Sequence, residues 1–202
     1  MRIAPFVLDG RHVRLVPMSL DHTEALVAAA SEDRATYGYT GVPSDIDAQR
    51  HIQDLLDDAA RDRAIPFTTR RVSDGTIVGA TRYLSLRWFY DRAEPDAVEI
   101  GGTWLAASAQ RTALNTEAKF LMLEHAFEVW RVQRVDLKTD ARNQRSRDAI
   151  ERIGAHFEGV LRNWQPSLVA GEEGRSRPTA MFSITDAEWP AVRAHLITKL
   201  TP

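Results

Sequence analysis

The sequence predicts a mixed α/β fold, of the α+β kind, in a single domain that spans residues 1–202. Strand-like and helix-like segments alternate through the centre of the chain, and no repeat or long linker divides it. A chain of 202 residues can bury well over half of its unfolded surface, so its core needs no disulfides, and the sequence has no cysteine.

Charge and composition exclude several classes of partner. The 26 basic and 28 acidic residues leave a net charge of -2, which offers no overall attraction for nucleic acid or for an anionic membrane. The start of the sequence lacks the apolar stretch of a signal peptide, and no apolar run approaches the ~18 residues of a spanning helix. We therefore expect a cytoplasmic protein with no nucleic-acid or membrane partner.

Periodicity predicts seven strands and five helices. Val13 and Leu15 alternate with polar residues, as in a half-buried strand, and Asp74-Gly75 between two apolar runs is typical of a hairpin turn. Apolar residues recur at helical spacing after Asp21, Ser44, Leu114, Asn143 and Thr185. The residues from 166 to 178 are polar and are expected to form a loop. The predicted strands cover residues 11–16, 64–72, 77–86, 98–105, 135–139, 156–164 and 180–184.

Several common catalytic motifs are absent. The chain has no Gly-x-Ser-x-Gly elbow, Walker loop, dinucleotide glycine motif or His-Glu-x-x-His pair. Its six histidines are scattered without the spacing of metal ligands, and His125 lies on the apolar side of its predicted helix. We expect no metal site, and a packing role for His125.

A strand, a polar turn and a long helix form the most informative segment. The strand contains Glu99, and the turn places Arg111 just before the helix start, where free N–H groups favour a phosphate. A second helix begins at Asn143 directly after a strand, and its Ser146 and Arg147 could face the same anion. Each feature alone is also typical of a helix cap or a solvated helix face.

These segments together resemble the GCN5-related N-acetyltransferase (GNAT) superfamily, particularly its ribosomal-protein N-acetyltransferase (RimJ/RimL)-like branch. The resemblance implies a mixed, mostly antiparallel sheet of about seven strands, flanked by helices and splayed between strands four and five. It also implies acetyl-CoA as the co-substrate. The matching pieces are Leu8 to Pro17, Glu99-Ile100-Gly101, Trp104-Leu105, Thr116-Glu117-Ala118, Asn143, Ser146, Ile150-Glu151, Gly154-Ala155 and Glu158-Gly159.

The resemblance assigns acetyl-CoA to the fourth strand and the two helix starts. The pyrophosphate loop falls on residues 110–115, where Ala113 replaces the usual glycine and Asn115 the final small residue of the family pattern. The loop is therefore expected to have an altered shape or weak affinity for CoA. One extra residue in the fourth strand predicts a bulge at Gly101-Gly102. The implied cofactor-binding residues are Trp104, Leu105, Ala106, Gln110, Arg111, Thr112, Ala113, Leu114, Asn115, Thr116, Asn143, Ser146 and Arg147.

Two residues are implied as catalytic. Glu99 is the carboxylate nearest the expected reaction centre and is the candidate to accept the amine proton, although a solvated charge at a strand end is the alternative interpretation. Many relatives carry a tyrosine acid where this chain has Ile150, so Ser146 is expected to hydrogen-bond the CoA sulfur instead.

The acceptor implied by the resemblance is a primary amine, either a protein N-terminus or a small molecule. We expect Trp88, Tyr90 and Arg175 to contact it, from the aromatic loop and from Gly174-Arg175-Ser176-Arg177, which resembles a Gly-x-x-Arg motif of the branch. Dimers are frequent in that branch, so a homodimer is an option. The competing hypothesis is a catalytically impaired GNAT protein that binds CoA or a partner as a sensor.

Overall fold

The computed structural model describes residues 3–201 and contains one eight-stranded sheet with five α-helices. The strands are β1 (Leu8–Asp9), β2 (Val13–Pro17), β3 (Ala64–Arg71), β4 (Ile77–Arg87), β5 (Ala97–Leu105), β6 (Arg134–Asp140), β7 (His156–Pro166) and β8 (Ser176–Thr185). The α-helices are α1 (Thr23–Ser31), α2 (Ala48–Ala60), α3 (Ala113–Glu124), α4 (Gln144–Arg152) and α5 (Trp189–Leu200). None of these described helices combines the length and apolar character needed to cross a membrane.

The sheet order is β1-β2-β3-β4-β5-β6-β8-β7. Every neighbouring pair is antiparallel except β5 and β6, which run parallel. The predicted class and the mostly antiparallel sheet are therefore confirmed.

The sheet has eight strands, one more than the sequence pattern indicates. The additional strand, β1, has two residues, which is too short for a two-residue period to be visible in the sequence. The last strand also begins at Ser176, inside the segment expected to be a loop. Its first buried positions are Arg177 and Thr179, so it lacks the apolar alternation that marks a strand.

Helices cover both faces of the sheet. Tyr83 of β4 donates from its hydroxyl to the Met122 carbonyl of α3 at 2.5 Å, while α3 packs against α5. The adjacent residue Arg82 lies on the other face, beside α2, because successive strand side chains point to opposite faces. On that face α1 packs against β4 and α2 packs against β3.

A π-helical turn over His125–Val129 follows α3 and changes the side-chain phase. Val129 is 60% exposed, whereas Phe127 and Trp130 are buried. His125 stacks on Phe6 with 4.2 Å between ring centroids, which confirms its packing role. Burial lowers the pKa of His125 to about 4, so its imidazole is neutral at neutral pH.

A carboxylate of α3 fixes the turn between β1 and β2. Glu117 is buried and accepts backbone N–H groups of Arg11 at 2.9 Å, His12 at 2.6 Å and Val13 at 2.7 Å. Three donors on one carboxylate satisfy most of its hydrogen-bonding capacity. Glu117 therefore ties the edge of the sheet to the long helix.

Candidate functional site

The sheet opens between β5 and β6. Their parallel pairing joins Ala97–Glu99 to Arg134–Asp136 and then stops, although both strands continue. Beyond Glu99, the edge of β5 that faces β6 has no strand partner within residues 3–201, so its backbone groups remain available for hydrogen bonds. The splay predicted between the fourth and fifth strands of the sequence analysis is confirmed at this point.

A bulge shapes β5 just beyond the split. Arg82 pairs with Gly101 and Ala80 pairs with Trp104, so β5 has one residue more than β4 over this interval. Gly102 has a φ of +57°, and a Cβ atom at this position would lie 2.6 Å from the Arg82 guanidinium carbon. The bulge predicted at Gly101-Gly102 is therefore present, and glycine is required for both its φ and its close contact.

A cavity of about 420 Å³ lies at the gap. This volume is in the range that accommodates a small ligand or the reactive ends of larger ones. Helices α1, α2, α3 and α4 contribute to its walls together with the central strands. Its polar and functionally relevant lining residues include Tyr39, His51, Arg82, Glu99, Asn115, Lys119, Lys138, Ser146, Ile150 and Arg177.

Glu99 is the last residue of β5 that pairs with β6, and it lines the cavity. It is 4% exposed, so it is not the solvated strand-end charge of the alternative interpretation. Its Oε2 accepts from Lys138 Nζ at 2.8 Å and from Ser85 Oγ at 3.2 Å. No donor among residues 3–201 is recorded for Oε1, which leaves that oxygen able to accept a proton or a hydrogen bond.

The start of α4 forms another wall. The Asn143 side chain accepts the Ser146 N–H at 3.1 Å and caps the helix, as its position in the sequence predicts. Ser146 and Ile150 both line the cavity. Arg147 instead lies over the Phe157 ring at 5.3 Å and donates to the Ala141 carbonyl at 3.4 Å. Among these residues, Ser146 is therefore the polar group that faces the cavity.

The loop before α3 is braced by its first side chain. Gln110 donates to the Leu105 carbonyl at 2.8 Å and to Thr36 Oγ1 at 3.1 Å, and it accepts from Arg145 at 2.5 Å. These contacts give Gln110 a structural role in holding the loop against neighbouring segments. Arg111 is exposed and adopts a φ of +61°, in the left-handed region that glycine favours.

The first turn of α3 divides between surface and interior. Thr112 caps the helix by accepting the Leu114 N–H at 3.3 Å, and Ala113 is its first residue. Leu114 and Thr116 are buried. Asn115 lines the cavity, and its buried Oδ1 has no hydrogen-bond partner within the described chain. A buried acceptor without a donor is costly, so this atom is a candidate ligand contact.

The residues at the end of β5, which precede this loop, are buried. Trp104, Leu105 and Ala106 are all buried, and Trp104 also lines the cavity. The Trp104 ring meets Tyr37 edge-on, with centroids 6.1 Å apart, while the Tyr37 hydroxyl donates to the Leu105 carbonyl at 3.2 Å. These residues contribute a buried wall and strand backbone to the site.

The expected acceptor residues lie away from the cavity. Phe89 and Tyr90 donate backbone N–H groups to Asp96 at 2.7 and 3.0 Å, and Trp88 donates to the Ala93 carbonyl at 3.2 Å, so this loop folds onto itself. Neither Trp88 nor Tyr90 lines the cavity. Arg175 is exposed and also lies outside the lining.

The segment between β7 and β8 nevertheless reaches the site. Arg142 donates to Glu172 at 2.8 and 3.0 Å and lies 5.3 Å from the Tyr39 ring centre. The Arg142 hydrogen bonds lower the pKa of Glu172 to about 2. These contacts hold the segment beside the cavity. Arg177, the last residue of the Gly-x-x-Arg motif, lines the cavity, whereas the expected Arg175 does not.

Four cations that line the cavity are absent from the site residues expected from the sequence, namely Arg82, Lys119, Lys138 and Arg177, on β4, α3, β6 and β8. Each is a charged residue inside a largely buried element, and Arg177 also belongs to the Gly-x-x-Arg motif. Lys119 donates to Thr103 Oγ1 at 2.6 Å and to Thr81 Oγ1 at 3.3 Å. Burial lowers its pKa to about 7.

The cavity also contains a histidine without a metal partner set. Burial, and secondarily the Arg82 cation, lowers the pKa of His51 below its ordinary value. Within residues 3–201, no three side chains of the His, Cys, Asp or Glu type are grouped as metal ligands would be. The lowered pKa favours the neutral form of His51 in the cavity wall.

Solved structures with the same fold include several acetyltransferases. A candidate acetyltransferase from T. thermophilus is 30% identical, with 100% of each chain covered and a TM-score of 0.82. A GCN5-related N-acetyltransferase from Brucella melitensis is 28% identical over 100% of this chain and 88% of that chain, with a TM-score of 0.81. RimL, a ribosomal L7/L12 α-N-protein acetyltransferase solved with coenzyme A, shares the fold at 16% identity, covering 89% and 98% of the two chains, with a TM-score of 0.72.

A comparison with curated proteins found no match. A family model described as an acetyltransferase (GNAT) domain matches residues 12–156. The matched range contains β5, α3 and α4, which border the cavity, whereas β8 with Arg177 lies outside that range. Because the model covers most of the chain, the protein belongs to the GNAT acetyltransferase family.

Proposed function

We propose that the protein is an acetyl-CoA-dependent N-acetyltransferase that acetylates a primary amine by direct attack on the thioester. The observation that carries this proposal is the unpaired edge of β5, which opens beside Glu99 into a cavity bounded by the start of α4. A split sheet exposes strand N–H and C=O groups that a peptide-like arm can pair with.

The residues at the split fit acetyl-CoA. The free β5 edge suits its amide-containing arm, and the start of α3 offers N–H groups to its diphosphate. The orphaned Asn115 Oδ1 faces the same cavity and would gain a donor. The RimL structure with coenzyme A, which shares this fold, supports the assignment. When bound, acetyl-CoA supplies an acetyl group activated as a thioester.

Glu99 is proposed as the group that removes the proton from the attacking amine. Within the described residues 3–201 its Oε1 has no protein donor, and Lys138 lies 2.8 Å from Oε2, where it compensates the negative charge. In the balanced reaction, the amine nitrogen bonds to the acetyl carbon, the C–S bond breaks, and the proton that nitrogen loses is matched by the one the thiol gains.

Ser146 is proposed to stabilise the departing sulfur. Its hydroxyl lies in the cavity wall, and the Asn143 cap fixes its backbone at the start of α4. A hydroxyl can donate to developing negative charge where a tyrosine is lacking, and Ile150 occupies that position here.

Two measurements test the proposal. Acetyl-CoA is expected to raise the midpoint of thermal unfolding, because a ligand of the native state stabilises it. A panel of primary amines, incubated with acetyl-CoA, is then expected to release free thiol with at least one acceptor. Stabilisation without thiol release on any amine would favour the catalytically impaired CoA-binding protein, and the absence of both effects would contradict both hypotheses.

A further inference from the structure

The cavity wall carries more positive than negative side chains. Four strongly basic residues line it, namely Arg82, Lys119, Lys138 and Arg177, whereas Glu99 is the one carboxylate that the described lining contains. The protein as a whole has a net charge of -2, so this local excess is not a consequence of its composition. Such an excess favours an anionic ligand.

Both lysines already have partners within the protein. Lys138 forms its ion pair with Glu99 at 2.8 Å. Lys119 donates to Thr103 and Thr81, and burial lowers its pKa to about 7, so part of its population is uncharged at neutral pH. Neither lysine therefore requires an added anion.

Neither arginine has a carboxylate in direct contact, although Asp140 and then Glu99 act on Arg177 at longer range, and Glu99 and Asp58 act on Arg82. Among residues 3–201, no carboxylate lies within 4 Å of either guanidinium, and no acceptor lies within hydrogen-bond distance of their side-chain nitrogens. Arg177 is 6% exposed, and its buried Nε has no hydrogen-bond partner. A buried guanidinium stays protonated at neutral pH and is costly without a counter-charge.

Both arginines also approach the proposed base. Arg82 on β4 lies opposite Gly101 and against the bulge at Gly102. Gly101 is two residues along β5 from Glu99. Arg177 enters from β8, on the far side of the split, and Glu99 acts electrostatically on both guanidinium groups. An anion held by the arginines would therefore be close to an amine that faces Glu99.

We propose that the acceptor is an amine that also carries an anionic group, a carboxylate or a phosphate, which Arg82 and Arg177 bind while Glu99 faces the amino group. This inference rests on the proposed acetyl transfer and narrows its substrate class. Guanidinium forks recognise both anions through paired N–H donors, so the shared chemistry is the oxygen anion.

The first test compares acceptors on one carbon skeleton: β-alanine, 3-aminopropanamide and 3-aminopropyl phosphate. A second arm compares the C-terminally amidated tripeptides Ser-Asp-Ala and Ser-Asn-Ala. We expect kcat/KM for an acidic member to exceed that of its neutral counterpart at least tenfold in one arm, which also identifies the source of the anion. Equal or higher values for the neutral amines in both arms would overturn the inference.

The second test removes each guanidinium in turn. Arg177→Gln and Arg82→Gln are expected to lower kcat/KM for the preferred acidic acceptor at least tenfold, and for its neutral counterpart less than threefold. Arg177→Lys, which retains the charge, is expected to recover part of the loss. Arg61→Gln is the matched control, because Arg61 is exposed at the end of α2, 3.8 Å from Asp57.

Two further measurements separate the possible failures. A rise in the KM for acetyl-CoA with equal losses for all acceptors would assign the arginines to the co-substrate and overturn the inference. Calorimetric binding of the N-acetylated acidic and neutral products reports the same preference without turnover, and equal affinities would also overturn it. The absence of thiol release with every amine would instead contradict the proposed acetyl transfer itself.

Discussion

Glu99 and Glu117 are buried to a similar degree, with 4% and 6% of their surfaces exposed, but their surroundings differ. Glu117 accepts three backbone N–H groups and does not line the cavity at the split. Glu99 lines that cavity and, within residues 3–201, receives donors on one oxygen only. Burial alone therefore does not separate the two carboxylates, whereas unused hydrogen-bonding capacity beside a cavity makes Glu99 the functional candidate.

The largest expected effect is the loss of stability in Glu117→Ala. Three N–H groups of the turn between β1 and β2 would lose their acceptor, and hydrogen bonds to charged groups each contribute about 1.5–3 kcal/mol. We expect the free energy of unfolding in urea to fall by at least about 3 kcal/mol. Glu117→Gln, which keeps one acceptor oxygen, serves as the control with a smaller loss, and equal stabilities of all three proteins would contradict the anchoring role.

Glu99→Gln is expected to have the opposite profile, with a large effect on turnover and a small one on acetyl-CoA affinity. We expect kcat/KM for the amine to fall about 30-fold at pH 7, within reach of what a general base contributes. The difference in kcat/KM between the variant and the wild type should decrease as the pH rises toward 9, because an α-amino acceptor with a pKa of about 8 then loses its proton without assistance. A defect that is constant across this pH range would argue against proton removal by Glu99.

Ser146→Ala tests the other end of the reaction. We expect a decrease of about tenfold in turnover with little change in the affinity for CoA, because the hydroxyl is proposed to act on the departing sulfur. Steady-state kinetics and equilibrium binding of CoA measure these two quantities. Unchanged turnover would remove Ser146 from the mechanism.

Lys119→Met sharpens the comparison within α3, because Lys119 follows Glu117 by two residues but faces the split. Its pKa falls from 10.5 in the unfolded chain to about 7 in the fold, so the unfolded chain binds more protons between these values. The cost of burying the ammonium is therefore complete below about pH 7 and declines as the pH rises toward 10.5.

We expect Lys119→Met to raise the unfolding midpoint at pH 6 by about 3 °C, equivalent to about 1 kcal/mol, and by less at pH 9.5. Thr81 and Thr103 remain hydrogen-bonded to each other at 2.8 Å, so the substitution leaves neither hydroxyl without a partner. Thermal unfolding monitored at both pH values provides the measurement. An equal rise in the unfolding midpoint at both pH values would show that the charge on Lys119 does not destabilise the folded state.

The sequence predicted those parts of the fold that depend on local patterns. The hairpin around Asp74-Gly75, the bulge at Gly101-Gly102 and the Asn143 cap all lie where turn chemistry, strand spacing and capping preference indicate. Strand β1 is not indicated by the sequence, because two residues are too few to show a two-residue period. The start of β8 at Ser176 was missed because its buried side chains are polar.

The cavity was only partly predictable for a different physical reason. Glu99 and Ser146 lie beside elements with recognisable local motifs, so their neighbourhood followed from the sequence. Arg82 and Arg177 are charged residues within ordinary strands, and they meet at the cavity because β4 and β8 lie on either side of the split. The proximity of residues from distant strands depends on the order of the strands in the sheet, which local sequence patterns do not reveal.

The contact between Gly102 and Arg82 constrains how this site can diversify. Any side chain at position 102 would displace the guanidinium, and any rearrangement of Arg82 would alter the packing around the bulge that shapes β5. If Arg82 binds the acceptor as proposed, acceptor choice and the alignment of acetyl-CoA along β5 depend on one stretch of backbone. A substitution at position 102 is then expected to change acceptor preference together with the shape of β5.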